Sequence, residues 1–238
     1  KQRGHQVTLF EKEKLGGQFN FAPLPSQKHS LQKQIDYFVD EIKDAKIKVI
    51  NKEATAEDLI GNYDGVIIAT GSKPFIPPID GLKEYHWAEI LYEFNLPKNK
   101  NVLVIGGGLI GVEIANTLVD YGNKVIIVEM LEDIARDMEM ITRKLNLKKL
   151  MEKNVVVYTN KKVSMVRGSN AMLKSKNVFD DFWIEKIDVF VVAAGMRPNK
   201  ELIEKLEEKI PYYVVGDADK IGDAVSAIQS GYFIAKEL

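Results

Sequence analysis

The sequence has 238 residues, of which 45% are hydrophobic and 28% charged, an ordinary globular balance that excludes wholesale disorder. Thirty-three basic residues against thirty-four acidic ones leave a formal charge of −1, so the chain carries no global electrostatic footprint for nucleic acid or an anionic membrane. With no cysteine, it has no disulfide framework, no thiolate zinc site, no cysteine-ligated iron–sulfur cluster and no redox dithiol of its own. His5, His29 and His86 share no metal-ligand spacing, and no metal site is expected.

Short β-branched runs alternate with longer helical patterns, which predicts an α/β protein with parallel sheets. In chain order the patterns predict a strand over 7–11, a helix over 30–45 and strands over 47–51, 65–69 and 101–105. A helix over 111–121, a strand over 124–129, a helix over 138–153 and strands over 155–159 and 188–193 follow. The last elements are a helix over 200–208, a strand over 212–215 and a helix over 223–238. VIIAT, VLVIG and VFVVAAG are continuous apolar runs, as expected of strands covered on both faces. Met138, Ile141 and Leu145 recur at helical spacing and are expected to pack into the core.

Between Val163 and Ile187 the pattern changes to short segments, 163–166, 171–174 and 181–185, parted by Gly168-Ser169-Asn170 and Lys176-Asn177. This predicts a small antiparallel meander. Two proline clusters, Pro74 to Pro78 and Arg197-Pro198-Asn199, suit crossings between domains. Residues 78–196 are therefore expected to form one domain inserted into another made of 1–77 and 197–238. The longest nearly apolar run, Val102 to Val112, is too short to span a bilayer. No secretory signal is read at the start, and a cytoplasmic location is expected. Lys1 is not a methionine, so the chain is expected to be a piece of a longer protein.

The strongest chemical signal is Gly106-Gly107-Gly108-Leu109-Ile110-Gly111, which follows a buried-type strand and opens a helix. A second strand then ends in Glu129, eighteen residues past Gly111. That is the context a dinucleotide fingerprint demands. Gly106 permits the tight turn, Gly108 lets the backbone approach a pyrophosphate, and Gly111 lets helix and strand pack closely. The amides that follow, of Leu109 and Ile110, face the pyrophosphate at the positive end of the helix. Glu129 accepts from the adenosine ribose hydroxyls and repels a 2′-phosphate, which favours NADH over NADPH. The same fingerprint serves FAD, which stays the rival at this site. Glu113, near the mouth of the helix, either orients the nicotinamide or complements the helix N-terminus.

A second site is read without its glycine loop. Val7-Thr8-Leu9-Phe10 ends in Glu11, placed as Glu129 is, and Gly16-Gly17-Gln18 follows. Val66 to Gly71 is a buried strand ending in Ala69-Thr70-Gly71, and Val189 to Gly195 repeats the pattern. Tyr212 to Val215 leads into Gly216-Asp217, a carboxylate at a strand end ahead of a helix.

On these motifs the whole chain resembles the pyridine nucleotide:flavin oxidoreductases, flavoproteins with two dinucleotide-binding domains. The resemblance implies two Rossmann-like domains, with the NAD domain inserted in an FAD domain whose first strand and glycine loop precede Lys1. It implies FAD and NAD(H) as cofactors and hydride transfer between them, with no catalytic side chain required. Glu11 would hold the FAD ribose, Gly17 and Gln18 would line the flavin, and Thr70 and Gly71 would border the adenosine diphosphate. Asp217, after Gly216, would bind the ribitol and pyrophosphate region, with Ala224 near the flavin ring; Gly195 would border the nicotinamide nucleotide. Within the family the sequence looks most like the C-terminal half of dienoyl-CoA and enoate reductases. That implies an upstream flavin barrel and an iron–sulfur part as partners on the same parent chain. Phe19, Asn20 and Phe21 stand where disulfide reductases carry cysteines, so disulfide chemistry is excluded. Without the first glycine loop, these 238 residues alone are expected to retain FAD poorly. The alternative is a nucleotide-binding scaffold with a vestigial second site and no turnover.

Overall fold

A computed structural model describes residues 1–25, 28–83, 87, 90, 96–175, 178–206 and 209–238. His86, the Lys176-Asn177 break and the predicted helix end at Glu208 lie outside the described residues. The chain divides into two compact units: one of Lys1–Pro23, the stretch up to Lys73 and Met196–Leu238, and a second made chiefly of Pro74–Gly195.

The second unit is built on a parallel sheet of β5 (Asn101–Ile105), β6 (Lys124–Val128), β7 (Val156–Tyr158) and β11 (Val189–Val192), in the order β11-β5-β6-β7. Val102, Leu103 and Val104 are wholly buried, as the unbroken apolar run requires of a strand covered on both faces. α3 (Leu109–Asp120) connects β5 to β6 and buries Val112, Ile114, Ala115 and Leu118. Its start lies two residues ahead of the predicted one. α4 (Met140–Glu152) precedes β7. The meander is present as β8 (Lys162–Arg167), β9 (Asn170–Lys174) and β10 (Phe182–Ile184), antiparallel in the order β10-β9-β8, around fully buried Ala171 and Leu173.

One sequence reading is corrected in α4. Met138 is buried, but Ile141 and Leu145 are 65% and 63% exposed. The inward positions are Arg143, Asn146, Leu147, Lys149 and Leu150. Three of those five are polar because each has a partner there: Arg143 reaches the Ile134 carbonyl, Asn146 Oδ1 accepts from Asn116 Nδ2 at 2.8 Å, and Lys149 pairs with Asp120 at 2.7 Å. A rule that assigns the inward face to apolar residues therefore selects the wrong stripe.

The first unit contains β1 (Thr8–Phe10) parallel to β2 (Lys48–Ile50), with α1 (Gln32–Asp44) between them in sequence. β3 (Val66–Ile68) pairs in parallel with β13 (Tyr212–Val214). Its core gathers Ala56 and Leu59 of α2 (Ala56–Leu59) with Ile68, Leu206 of α5 (Glu201–Leu206), Ile210 and Ala218. α6 (Ala224–Glu237) closes the chain. The proline clusters, read as suiting crossings between domains, overlap the ends of two short strands, β4 (Ser72–Pro74) and β12 (Met196–Pro198), which pair. Each proline sits at a strand end, where its missing N–H breaks no interior ladder.

Candidate functional site

In the second unit the parallel register delivers two features to the same sheet end. Ile105 pairs with Val128, and the ladder runs on as the Gly106 N–H donates to the Val128 carbonyl at 2.9 Å. The glycine loop and Glu129 thus emerge side by side from the carboxyl ends of adjacent strands, where open α/β sheets bind ligands. Gly106 has φ +106°, and a Cβ there would stand 2.3 Å from the Ala193 carbonyl oxygen, so both conformation and space require glycine. At Gly111, read from the sequence as allowing close helix-to-strand packing, a Cβ would lie 2.0 Å from the Gly106 oxygen, so the tightest approach is to the loop just past the strand.

Gly108 differs from both. Its φ is −69° and a Cβ would meet nothing within 4 Å. The residue caps α3 with no side-chain acceptor for the first-turn amides, among them those of Leu109 and Ile110. Open space at the Gly108 Cβ position, at a helix N-terminus with no side-chain cap, fits an anionic group such as a pyrophosphate.

Glu129 is only 8% exposed and already engaged. Its Oε2 accepts from the Gly107 N–H at 2.7 Å, and its Oε1 accepts from the Leu131 N–H at 2.9 Å. Its own N–H donates to the Tyr158 carbonyl and its carbonyl accepts from Lys161, so backbone and side chain are both held. A carboxylate offers about four lone-pair sites, which leaves about two for ribose hydroxyls. Gly107, given no task by the sequence pattern, is therefore the residue that joins loop to carboxylate. A Cβ on it would lie 2.4 Å from Ile134 Cγ2 and 3.2 Å from Glu129 Cβ. Glu113 is half-buried in α3, where its carbonyl accepts from the Thr117 hydroxyl. Gly195 has φ +109° and open space beyond its Cα; its carbonyl accepts from Phe75 N–H at 2.9 Å.

The first unit repeats part of this arrangement. Glu11 follows β1, its N–H donates to the Ile50 carbonyl, and its Oε1 accepts from the N–H of Glu13 at 3.0 Å. The same i to i+2 bond joins Glu129 to Leu131. Gln18, Gly71 and Asp217 are drawn together by Ser72, a buried residue the sequence reading passed over. Its hydroxyl donates to Asp217 Oδ2 at 3.0 Å and lies 3.3 Å from Gln18 Oε1, while Gln18 Nε2 donates to its carbonyl. Asp217 Oδ1 accepts from the Gly222 N–H. Thr70 donates to the Asn199 carbonyl, and the Asn199 N–H returns a bond to Gly71. Gly216, with φ +60°, donates to the Ser230 hydroxyl on α6. Gly17, with φ +50°, faces open space, and Ala224 borders an apolar cleft with Leu15, Phe19, Ile35 and Ile228.

Among the described residues no group of His, Asp or Glu side chains is placed to hold a metal, and no helix is long and apolar enough to cross a membrane.

A glycine loop tied to an acidic strand end on a parallel sheet, in a chain whose other unit has a like strand end, defines a Rossmann-type dinucleotide-binding protein. The chain belongs to the pyridine nucleotide-disulphide oxidoreductase family, whose model matches residues 2–229 and whose members use FAD and NAD(P)H. It is 34% identical over 245 residues to the bilirubin reductase of Mediterraneibacter gnavus (strain CC55_001C) and 35% identical over 247 to the NADH oxidase of Thermoanaerobacter brockii. Each alignment takes in 99% of this chain but only 37% and 38% of those relatives, so the chain spans little more than a third of their length. A solved 2-naphthoyl-CoA reductase superposes with a TM-score of 0.88 at 26% identity, over 99% of this chain and 36% of that one.

Proposed function

We propose that this chain is the NADH-oxidising, flavin-reducing module of a longer reductase. Residues 78–196 would hold NADH, and 1–77 with 197–238 would supply the FAD contacts. The observation that carries the reading is Glu129, buried and pinned by the Gly107 amide beside the open space at Gly108. That space and the first-turn amides of α3 suit the pyrophosphate, and the lone pairs left on Glu129 suit the adenosine ribose. A 2′-phosphate would meet a buried, fixed carboxylate, so NADH is the preferred donor.

In the other unit Glu11 would take the FAD ribose, and Thr70 and Gly71 the diphosphate side. Gly17, Gln18, Gly216, Asp217 and Ala224 would border the ribitol and flavin. When bound, FAD supplies the two-electron acceptor for the nicotinamide hydride. The chain's own residues bind and orient; Glu113 and Gly195 would set the nicotinamide end. Relatives named bilirubin reductase, NADH oxidase and cinnamate reductase support a parent enzyme that sends these electrons to a reducible centre elsewhere. We place that centre in an upstream flavin barrel with an iron–sulfur part, in the manner of enoate and dienoyl-CoA reductases.

The test is anaerobic addition of NADH to the FAD-loaded full-length protein. Bleaching of the oxidised flavin band, faster with NADH than with NADPH, is expected. An unchanged spectrum would leave the nucleotide-binding scaffold as the better account.

A further inference from the structure

Next to the glycine loop, Ala135 sits at φ +53° although it has a Cβ and is 1% exposed. A non-glycine residue in the left-handed region is strained, and such strain persists only where the surroundings over-determine it. Here the surroundings are explicit. The Ala135 N–H donates to the Gly107 carbonyl at 2.7 Å, and the Ala135 carbonyl accepts from Met138 N–H. The preceding carbonyl, of Ile134, accepts twice from one guanidinium: Arg143 Nε at 3.2 Å and Nη2 at 3.1 Å. The same Nη2 also pairs with Asp133 Oδ2. Ile134 packs its side chain where a Cβ on Gly107 would lie.

Gly107 is consequently gripped from both sides by one loop, its amide by Glu129 and its carbonyl by Ala135. We propose that Arg143 is a positioning residue of the nucleotide site. Reaching from the inward face of α4, it locks the 133–135 turn, which holds Gly107 against Glu129 and so fixes the carboxylate that selects the ribose. This inference rests on the reading that the 106–129 site takes NADH. A planar fork that gives two bonds to one carbonyl while pairing with a carboxylate is a task for arginine more than lysine. Loosening it frees the loop peptide and leaves Glu129 with one fixed donor fewer, so both ribose affinity and exclusion of the 2′-phosphate should fall.

The experiment measures NADH and NADPH dissociation constants for the full-length protein and its Arg143→Ala, Arg143→Lys and Gly108→Val variants, with unfolding midpoints alongside. For Arg143→Ala, NADH affinity is expected to fall about tenfold, as loss of one to two hydrogen bonds implies, with a smaller loss for NADPH. Arg143→Lys should recover part of the NADH affinity. Unchanged NADH binding by a folded Arg143→Ala overturns the proposal. So does an equal loss for both nucleotides, since that is general loosening of the fold. Should the alanine variant not fold, Arg143→Lys carries the test, and a parent-like NADH to NADPH ratio overturns the proposal. Gly108→Val separates the two readings. If it binds NADH as the parent does, the site itself is misplaced and the inference falls with it; if it is impaired while Arg143→Ala is not, only the inference falls.

Discussion

Gly107 donates its amide to Glu129 Oε2 at 2.7 Å, across twenty-two residues of sequence and between the ends of two adjacent parallel strands. The bond ties the carboxylate proposed to accept from the ribose into the glycine loop. Charge-assisted bonds of this kind contribute about 1.5–3 kcal/mol, and here the bond is shielded from water. On the proposed reading, Glu129 would meet a nucleotide already oriented, its side chain having been ordered during folding. Affinity gained in this way comes from lowering the ordering cost of binding, not from adding contacts.

The glycines of the loop should separate under mutation. Gly108→Val places its side chain in open space at a φ any residue adopts, so the unfolding midpoint should hold while NADH affinity falls by at least about tenfold. Gly111→Ala should instead lower the unfolding midpoint, because its Cβ lands 2.0 Å from a backbone oxygen and the helix must shift. Thermal unfolding and nucleotide titration on the two variants distinguish them. Equal loss of stability in both would show that Gly108 is a packing glycine.

Glu129→Gln is expected to narrow the preference for NADH over NADPH, since the fixed negative charge proposed to face the 2′ position is lost. It also carries a stability cost that a surface Glu→Gln would not. One side-chain atom becomes an NH2 group facing a backbone N–H, either Gly107 or Leu131, and that donor pair cannot bond. A destabilisation of about 1–3 kcal/mol follows from leaving a buried donor unmatched. Urea unfolding and affinities for both nucleotides test the two effects independently.

Much of this site was legible in the sequence because its parts are local. A continuous apolar run, three spaced glycines and an acidic residue closing the next strand each follow from backbone needs within thirty residues. β5 matches its predicted span of 101–105, and β6 ends at Val128, one residue short of its predicted end at Glu129. What the pattern concealed depends on partners remote in sequence. Arg143 reads as a solvated charge until the Ile134 carbonyl is brought to it, and Asn146 likewise until Asn116 faces it. Ser72 is one more serine in a turn until Asp217, 145 residues on, accepts its hydroxyl. Ala135 carries no sign in its composition that its backbone is left-handed.

Ser72→Ala should weaken flavin binding by the full-length protein. The hydroxyl it removes is the donor to Asp217 Oδ2, and the residue is buried, so water cannot readily replace it. The Gly222 amide would remain the partner named for Asp217, on its other oxygen. A several-fold rise in the flavin dissociation constant is expected, on the order of one net hydrogen bond of about 1 kcal/mol. Ser72→Thr, which keeps the hydroxyl, should bind flavin more tightly than Ser72→Ala. Equal affinities in the two variants would assign the effect of the alanine to packing.

The last prediction concerns pH and the helix that borders the cleft at Ala224. Asp223 caps α6: its carboxylate accepts from the Ser226 N–H at 2.8 Å, and the Ser226 hydroxyl accepts from the Asp223 N–H at 3.0 Å. The Ser226 amide bond is the leading cause that holds the Asp223 carboxyl below its ordinary value of 3.8, with the Ser226 hydroxyl next. Because the folded value is depressed, the ionised cap stabilises the native state above the unfolded value, and that contribution is lost as pH falls through the folded one. Asp223→Ala should therefore lower the unfolding midpoint at neutral pH, and the gap to the parent should stay constant down to about pH 5. Below 3.8 it should shrink as the parent's own cap is protonated. Asp223→Ser retains a capping oxygen without a titrating charge, so its gap to Asp223→Ala should not change with pH over the same range. Unfolding midpoints of the three proteins from pH 7 to about pH 3 decide the matter, and a parent-to-alanine gap that widened on acidification would refute the assignment of this cap as an ionised one.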